Sequence, residues 1–368
     1  MMTSNGNSNR ILRRVLAATA LVAVGFICTA RAADRDPRDS APPDAIPEAV
    51  KKAIAFDKVG KKADKPYRIA YLTECVTNTY CEARMKGLQE AADKYGFTFK
   101  VFDANFNPQA QVKHVQNAVQ ENFDGYLFAP TADAPGCKMW KDFLVPTNKP
   151  VVSLDLTMCG DVTYTPGLAG TVTMQSQPYF DFHVENAFKE ACKGRDVCKG
   201  VSLSGFAGSD LFARWEKAID NGLKKYPNVK MVSRREAKFD PRIAQQITQD
   251  ALQVHKDLAF VVSHYDDMTL GAVAAIKAAG LVPGKDVLIY TDAVGKLGKK
   301  LIEDGTFNES TIVLPYDEAY YAAVALIMAL AGQPVNGYIN EADLPRITEG
   351  PDTLIVTKEN VAKFTPNW

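Results

Sequence analysis

The chain has 368 residues, 46% of them hydrophobic and 23% charged, and Lys+Arg and Asp+Glu both count 43. This is the composition of an ordinary globular protein long enough for about two domains. Residues 1–32 hold four arginines and no acid, so the remainder carries 39 basic against 43 acidic residues. That leaves no basic field to attract nucleic acid or anionic lipid, and sequence-independent DNA binding is excluded.

Arg10, Arg13 and Arg14 precede an apolar run over residues 15–27, followed by Ala30-Arg31-Ala32. A charged start, a short apolar stretch and a small-x-small triplet predict a secretory signal, cleaved after Ala32. The apolar run is too short to cross ~30 Å of hydrocarbon as a helix. Residues 33–66, rich in Pro, Asp, Lys and Ala, read as an extended linker with one short amphipathic helix over 48–56. From Tyr67 onward, strand, loop and helix alternate. Strands are predicted over 68–72, 98–103, 125–130, 151–154 and 167–172, and a second series over 199–203, 229–234, 259–263, 287–291 and 309–314. Among the intervening helices, 83–95 ends at Gly96, 108–120 opens on a proline, 212–226 stops before Pro227 and 267–279 ends at Gly280. Such alternation means βαβ units and an α/β fold of parallel sheets, and two series of about five strands mean two similar lobes.

Export changes the reading of the cysteines. Setting Cys28 aside leaves Cys75, Cys81, Cys137, Cys159, Cys192 and Cys198, an even set that implies disulfides although six cysteines allow 15 connectivities. Two short loops, Cys75–Cys81 and Cys192–Cys198, suggest themselves, which leaves Cys137 with Cys159. The rival, a zinc site, finds no CxxC pair and no ligand spacing among the four histidines. No metal and no cofactor are expected.

Ligands of open parallel sheets sit beyond the carboxyl ends of the strands. There the sequence places Glu74, Asn78 and Tyr80 after the first strand and Asp155 after the fourth. The second series adds Asp210 and Arg214, then Phe239, then Tyr265, then Asp292. Carboxylates accept from adjacent hydroxyls, Arg and Asn donate back, and aromatic faces pack on the C–H face of a sugar ring, so the set suits a neutral sugar or polyol. Asp210 and Arg214 are four apart at a helix start and share a face. Each has a plainer reading: Asp210 and Asp266 as helix N-caps, Arg214 as a solvated helix face, Tyr80 and Phe239 as core, Asn78 as a turn former. The patterns GxGxxG, GxxxxGK[ST], GxSxG and HExxH do not occur.

From Tyr67 to about Val361 the chain resembles the periplasmic sugar-binding proteins of ABC importers, the ribose- and galactose-binding type. The resemblance is carried by residues 68–72 with 87–96, by 123–131 and 150–155, and in the second lobe by 205–214, 266–272 and 290–292. It implies two Rossmann-like lobes joined by three hinge crossovers, near 171–175, 313–316 and 344–348, with the lobes spanning 67–172 plus 315–344 and 173–314 plus 345–368. It further implies a monomer in the periplasm that clamps a small ligand between its lobes and delivers it to an inner-membrane permease. By position, Asn78, Asp155 and Asp292 match hydrogen-bonding residues of the family, Tyr80 and Phe239 its stacking aromatics, and Asp210 with Arg214 a polar pair of the galactose type. Leu156, Tyr265 and Val313 stand where the family has Arg, Asn and Gln or Asn, and Glu74 is an unusual acid. The Cys75–Cys81 bridge then fixes the loop that bears Asn78 and Tyr80. A ligand-presenting sensor and a secreted carbohydrate-active enzyme are the competing functions. A repressor of the same superfamily would need an N-terminal helix-turn-helix that residues 1–66 do not offer.

Overall fold

The computed structural model describes residues 47–368. The signal and the first part of the linker predicted above lie outside the described residues. Two six-stranded sheets organise the chain. The first contains β1 (Arg68–Thr73), β2 (Thr98–Asp103), β3 (Gly125–Phe128), β4 (Val151–Leu154) and β5 (Gly170–Thr173). The second contains β6 (Cys198–Ser204), β7 (Val229–Glu236), β8 (Leu258–Ser263), β9 (Leu288–Thr291) and β10 (Glu309–Thr311). Each gains one three-residue strand that the sequence did not announce: β11 (Tyr338–Asn340) pairs parallel with β5, and β12 (Ile355–Thr357) pairs antiparallel with β10. The sheet orders are β11-β5-β4-β3-β1-β2 and β12-β10-β9-β8-β6-β7. The central strands β3, β4 and β8 are buried throughout, as strands covered on both faces must be.

The covering helices interlock closely. In the first lobe, α2 (Thr79–Tyr95) packs on α10 (Pro315–Leu330). A Cβ on Gly87 would stand 2.0 Å from the Tyr316 carbonyl oxygen, so only glycine permits that approach. The same device recurs in the second lobe between α7 (Pro241–Val254) and α8 (Asp266–Ala278), where a Cβ on Gly271 would stand 1.8 Å from the Pro241 carbonyl oxygen. The helix α10 is apolar nearly all round and lies against β3, β4 and β5.

The chain passes between the sheets after β5, after β10 and between β11 and β12. The helix α1 (Glu48–Val59), placed in a linker by composition, instead packs on α10 and β11 through Ala49, Val50 and Ala53. Its Asp57 accepts from Lys94, Tyr95 and Tyr320 at 2.6 Å each, so this turn of chain is part of the lobe. Disulfides join Cys75 to Cys81, Cys137 to Cys159 and Cys192 to Cys198.

Candidate functional site

The strand ends of both sheets face a common cavity. Counted as the space open to the centre of a water molecule it measures about 80 Å3. At ~10–15 Å3 per water in that measure it has room for roughly five to eight waters, the bulk of a small monosaccharide. Seven of the nine candidate residues line it: Glu74, Asn78, Tyr80 and Asp155 from the first lobe, and Phe239, Tyr265 and Asp292 from the second. Four lining residues, Phe106, Asp155, Phe239 and Ala293, hold left-handed backbone with φ between 56° and 69°. Non-glycine residues adopt it at an energetic cost of about 1–3 kcal/mol, and such positions gather at ligand sites.

Asp210 and Arg214 stand apart from the other seven. Neither lines the cavity, and they do not pair with each other. Both turn to the other lobe instead. Asp210 accepts from the Asp133 amide, and Arg214 donates to the Gln175 carbonyl at 2.7 Å and to Thr157 Oγ1 at 3.0 Å. The N-cap of α6 (Asp210–Lys225) is Ser209, whose hydroxyl accepts from the Phe212 amide, so Asp210 is left free to reach across. Asp266 is likewise not a cap: its carboxylate is buried and takes a hydrogen bond from Ser310 at 2.9 Å. Asn78 is the N-cap of α2, with Oδ1 accepting from the Cys81 amide at 2.8 Å.

The polar wall is built around a residue the strand-end rule does not reach. Arg84, one turn into α2 and fully buried, pairs with Glu74, with Asp155 at 2.6 Å and with Glu318 of α10 at 2.8 Å. Its guanidinium also lies 4.6 Å from the Tyr80 ring centre. Tyr80 is therefore a hydrogen-bonding member of this wall, its hydroxyl accepting from Gln175 at 3.0 Å, rather than a free stacking face. Gln175, on the first segment between the lobes, also donates to Asp155 Oδ1 at 3.2 Å. Burial of three acids against one cation has an electrostatic consequence. Burial pushes Glu74 and Glu318 up, and the Arg84 charge offsets it only in part. Burial likewise raises Asp292 to about 6, although Tyr179, Thr311 at 2.6 Å and the Ala293 amide at 2.7 Å all donate to it. All three bonds fall on Oδ1, which leaves Oδ2 for a guest.

An aromatic cluster also lines the cavity and joins the lobes. Phe106 of the first lobe stacks on Phe206 of the second with ring centres 4.9 Å apart, and Phe239 stands 5.7 Å from Phe206. Tyr265 turns its hydroxyl away, to Thr79 and to Asp267 at 3.2 Å. His264 stacks on Trp215 at 5.0 Å, and burial depresses its pKa to about 3, so it is a neutral imidazole. Its Nδ1 and the Thr131 hydroxyl are buried without a hydrogen-bond partner among the described residues. Of the departures noted in the sequence, Leu156 and Tyr265 line the cavity, and Val313 is buried outside the lining.

Two like sheets, linked by three passages of chain and facing each other across a shared cavity, define a two-lobed α/β receptor of the periplasmic type. The family model of the periplasmic binding protein domain matches residues 69–334, and the chain belongs to that family. Among curated proteins it is similar to the galactofuranose-binding protein YtfQ of Escherichia coli K12, 27% identical over 231 residues, covering 61% of this chain and 70% of that one. It is also similar to the ribose import binding protein RbsB of Salmonella typhimurium, 25% identical over 251 residues and covering 67% and 79%. Among solved structures, a galactofuranose-binding protein superposes with TM-score 0.62 at 26% identity, covering 71% of this chain and 87% of that one. The periplasmic component of the arabinose ABC transporter of Shewanella sp. ANA-3 shares the fold, with TM-score 0.66 at 23% identity over 80% and 93%.

Proposed function

We propose that this protein is the solute-binding component of an ABC importer, exported to the periplasm by residues 1–32, which captures a small sugar or polyol between its lobes and hands it unaltered to a membrane permease. The observation that carries this reading is the cavity itself. Rigidly held carboxylates from both lobes and aromatic rings surround a space of monosaccharide size. Carboxylates accept from paired hydroxyls, and aromatic faces take the C–H surface of a ring. In this reading Asp155, Glu74 and Asp292 accept from the ligand, and Phe239 and Tyr265 pack on it. Asp210 and Arg214 act at a distance, holding the closed arrangement through contacts with the other lobe. The named ligands of the similar proteins, galactofuranose and ribose, support the class of guest.

The test is a thermal-shift screen of ligand-stripped protein against neutral sugars and polyols, with each additive also assayed for chemical change. At least one raises the melting temperature in saturable fashion and is recovered intact. Asp155→Asn, which keeps shape and removes charge, abolishes the shift while the protein without ligand still unfolds cooperatively. A panel without a stabiliser, or a shift unchanged in Asp155→Asn, contradicts the reading.

A further inference from the structure

We propose that the cavity selects a ligand with one donor-rich edge and one apolar edge, a deoxy sugar, over its fully hydroxylated and anionic counterparts. The inference rests on the sugar-or-polyol reading above and concerns which member of that class is taken.

Many of the polar and apolar residues of the lining fall into two separate contact clusters. Glu74, Asp155, Tyr80 and Gln175 are tied to one another or to Arg84. Phe106, Phe206 and Phe239 touch one another instead, with centres 4.9 to 6.5 Å apart. Leu156 adds aliphatic surface, and the Tyr265 hydroxyl is spent on Thr79 and Asp267, so it offers only its ring. A ligand hydroxyl turned to the phenylalanines gives up water without a partner in return, whereas a methyl or methylene there gains contact.

The charge pattern excludes anions. The lining includes Glu74, Asp155 and Asp292 and neither Lys nor Arg. The buried Arg84 is consumed by three carboxylates. A ligand carboxylate would meet acids with no cation to answer it. Carboxyl oxygens accept hydrogen bonds, so a guest that donates is matched at that edge.

Calorimetric titration of ligand-stripped protein tests this with matched series: D-galactose, D-fucose and D-galacturonate, and D-ribose with 2-deoxy-D-ribose. The deoxy member of at least one series binds about tenfold or more tighter than its parent, within the roughly hundredfold an apolar pocket gives against an added hydroxyl, and galacturonate gives no saturable heat. Parents that bind as tightly as their deoxy partners in both series overturn the inference, as does binding of galacturonate. If no sugar or polyol binds at all, the broader reading falls with it; if sugars bind in the reverse order, only this inference falls. Phe206→Gln, on a half-exposed loop, places an amide in the aromatic wall and narrows the gap between deoxy and parent by about tenfold. A gap that stays unchanged in a folded Phe206→Gln variant overturns the assignment of that wall.

Discussion

The guanidinium of Arg84 has no exposed surface and three carboxylates around it. Removing it leaves buried acids without a counter-charge, and breaking a buried pair in this way costs about 3–5 kcal/mol. Arg84→Met therefore lowers the stability to urea by that order at neutral pH, and the loss shrinks in acid, where the stranded carboxylates are protonated. An equal loss at both pH values contradicts the account. The titration of buried groups gives a second prediction. Burial holds Glu309 near 8 in the folded chain against an ordinary 4.5, and pushes Glu74 and Glu341 the same way. A raised carboxyl stabilises fully below its unfolded value, and this is lost as pH climbs through the folded value. His183 and His264, depressed to about 3 by burial, stabilise fully above 6.5 and lose that contribution only in acid. Between pH 6.5 and 8 only the carboxyls act, so the urea midpoint falls, by about 1–2 kcal/mol in stability; a midpoint that rises over this interval contradicts the assignment. Residues standing directly after strands, such as Asp155 and Asp292, were legible from sequence because topology alone brings strand ends together. Arg84 and Glu318 were not, because they reach the site from helix faces. Their signal was there: Arg84 sits on the α2 stripe with Cys81, Leu88 and Tyr95, and Glu318, beside Asp317, opens a helix α10 that carries no other charge. A charge on a buried stripe demands a partner, and these two share one.

At the level of elements, the Cys75–Cys81 loop matters most to binding. It follows Glu74 and carries Asn78 and Tyr80, and both of its cysteines line the cavity. Closing so short a loop stabilises by about 2 kcal/mol in the chain-entropy view. Replacing both cysteines by serine therefore lowers the melting temperature modestly but weakens ligand binding about tenfold or more, because the loop must then be ordered by the ligand. Affinity that survives the double substitution would make the bridge a simple staple. The long βα repeats were legible because periodicity, prolines and glycine caps agree. The strands β11 and β12 were not, since three residues hold no period to read. The helix α1 was seen as a helix but assigned to a linker, because the Pro-rich stretch before it masked the stripe of Ala49, Val50 and Ala53 that docks on α10.

On the scale of the whole molecule, the lobes meet around the cavity at several points: Thr79 with Asp267 at 2.7 Å, Phe106 with Phe206, and Arg214 with Thr157. Each bond is made only when the lobes are together, so each biases a hinge equilibrium without touching the guest. Arg214→Ala thus weakens binding several-fold through closure while leaving the order of preference among sugars intact, a pattern calorimetry distinguishes from loss of a direct contact. The most direct measurement of the central claim is small-angle X-ray scattering of ligand-stripped protein, titrated with the sugar or polyol that stabilises it most. The radius of gyration falls with saturation at one ligand per chain as the lobes come together. A radius that stays constant through saturation would show that the guest binds elsewhere or without closure, and would contradict the account.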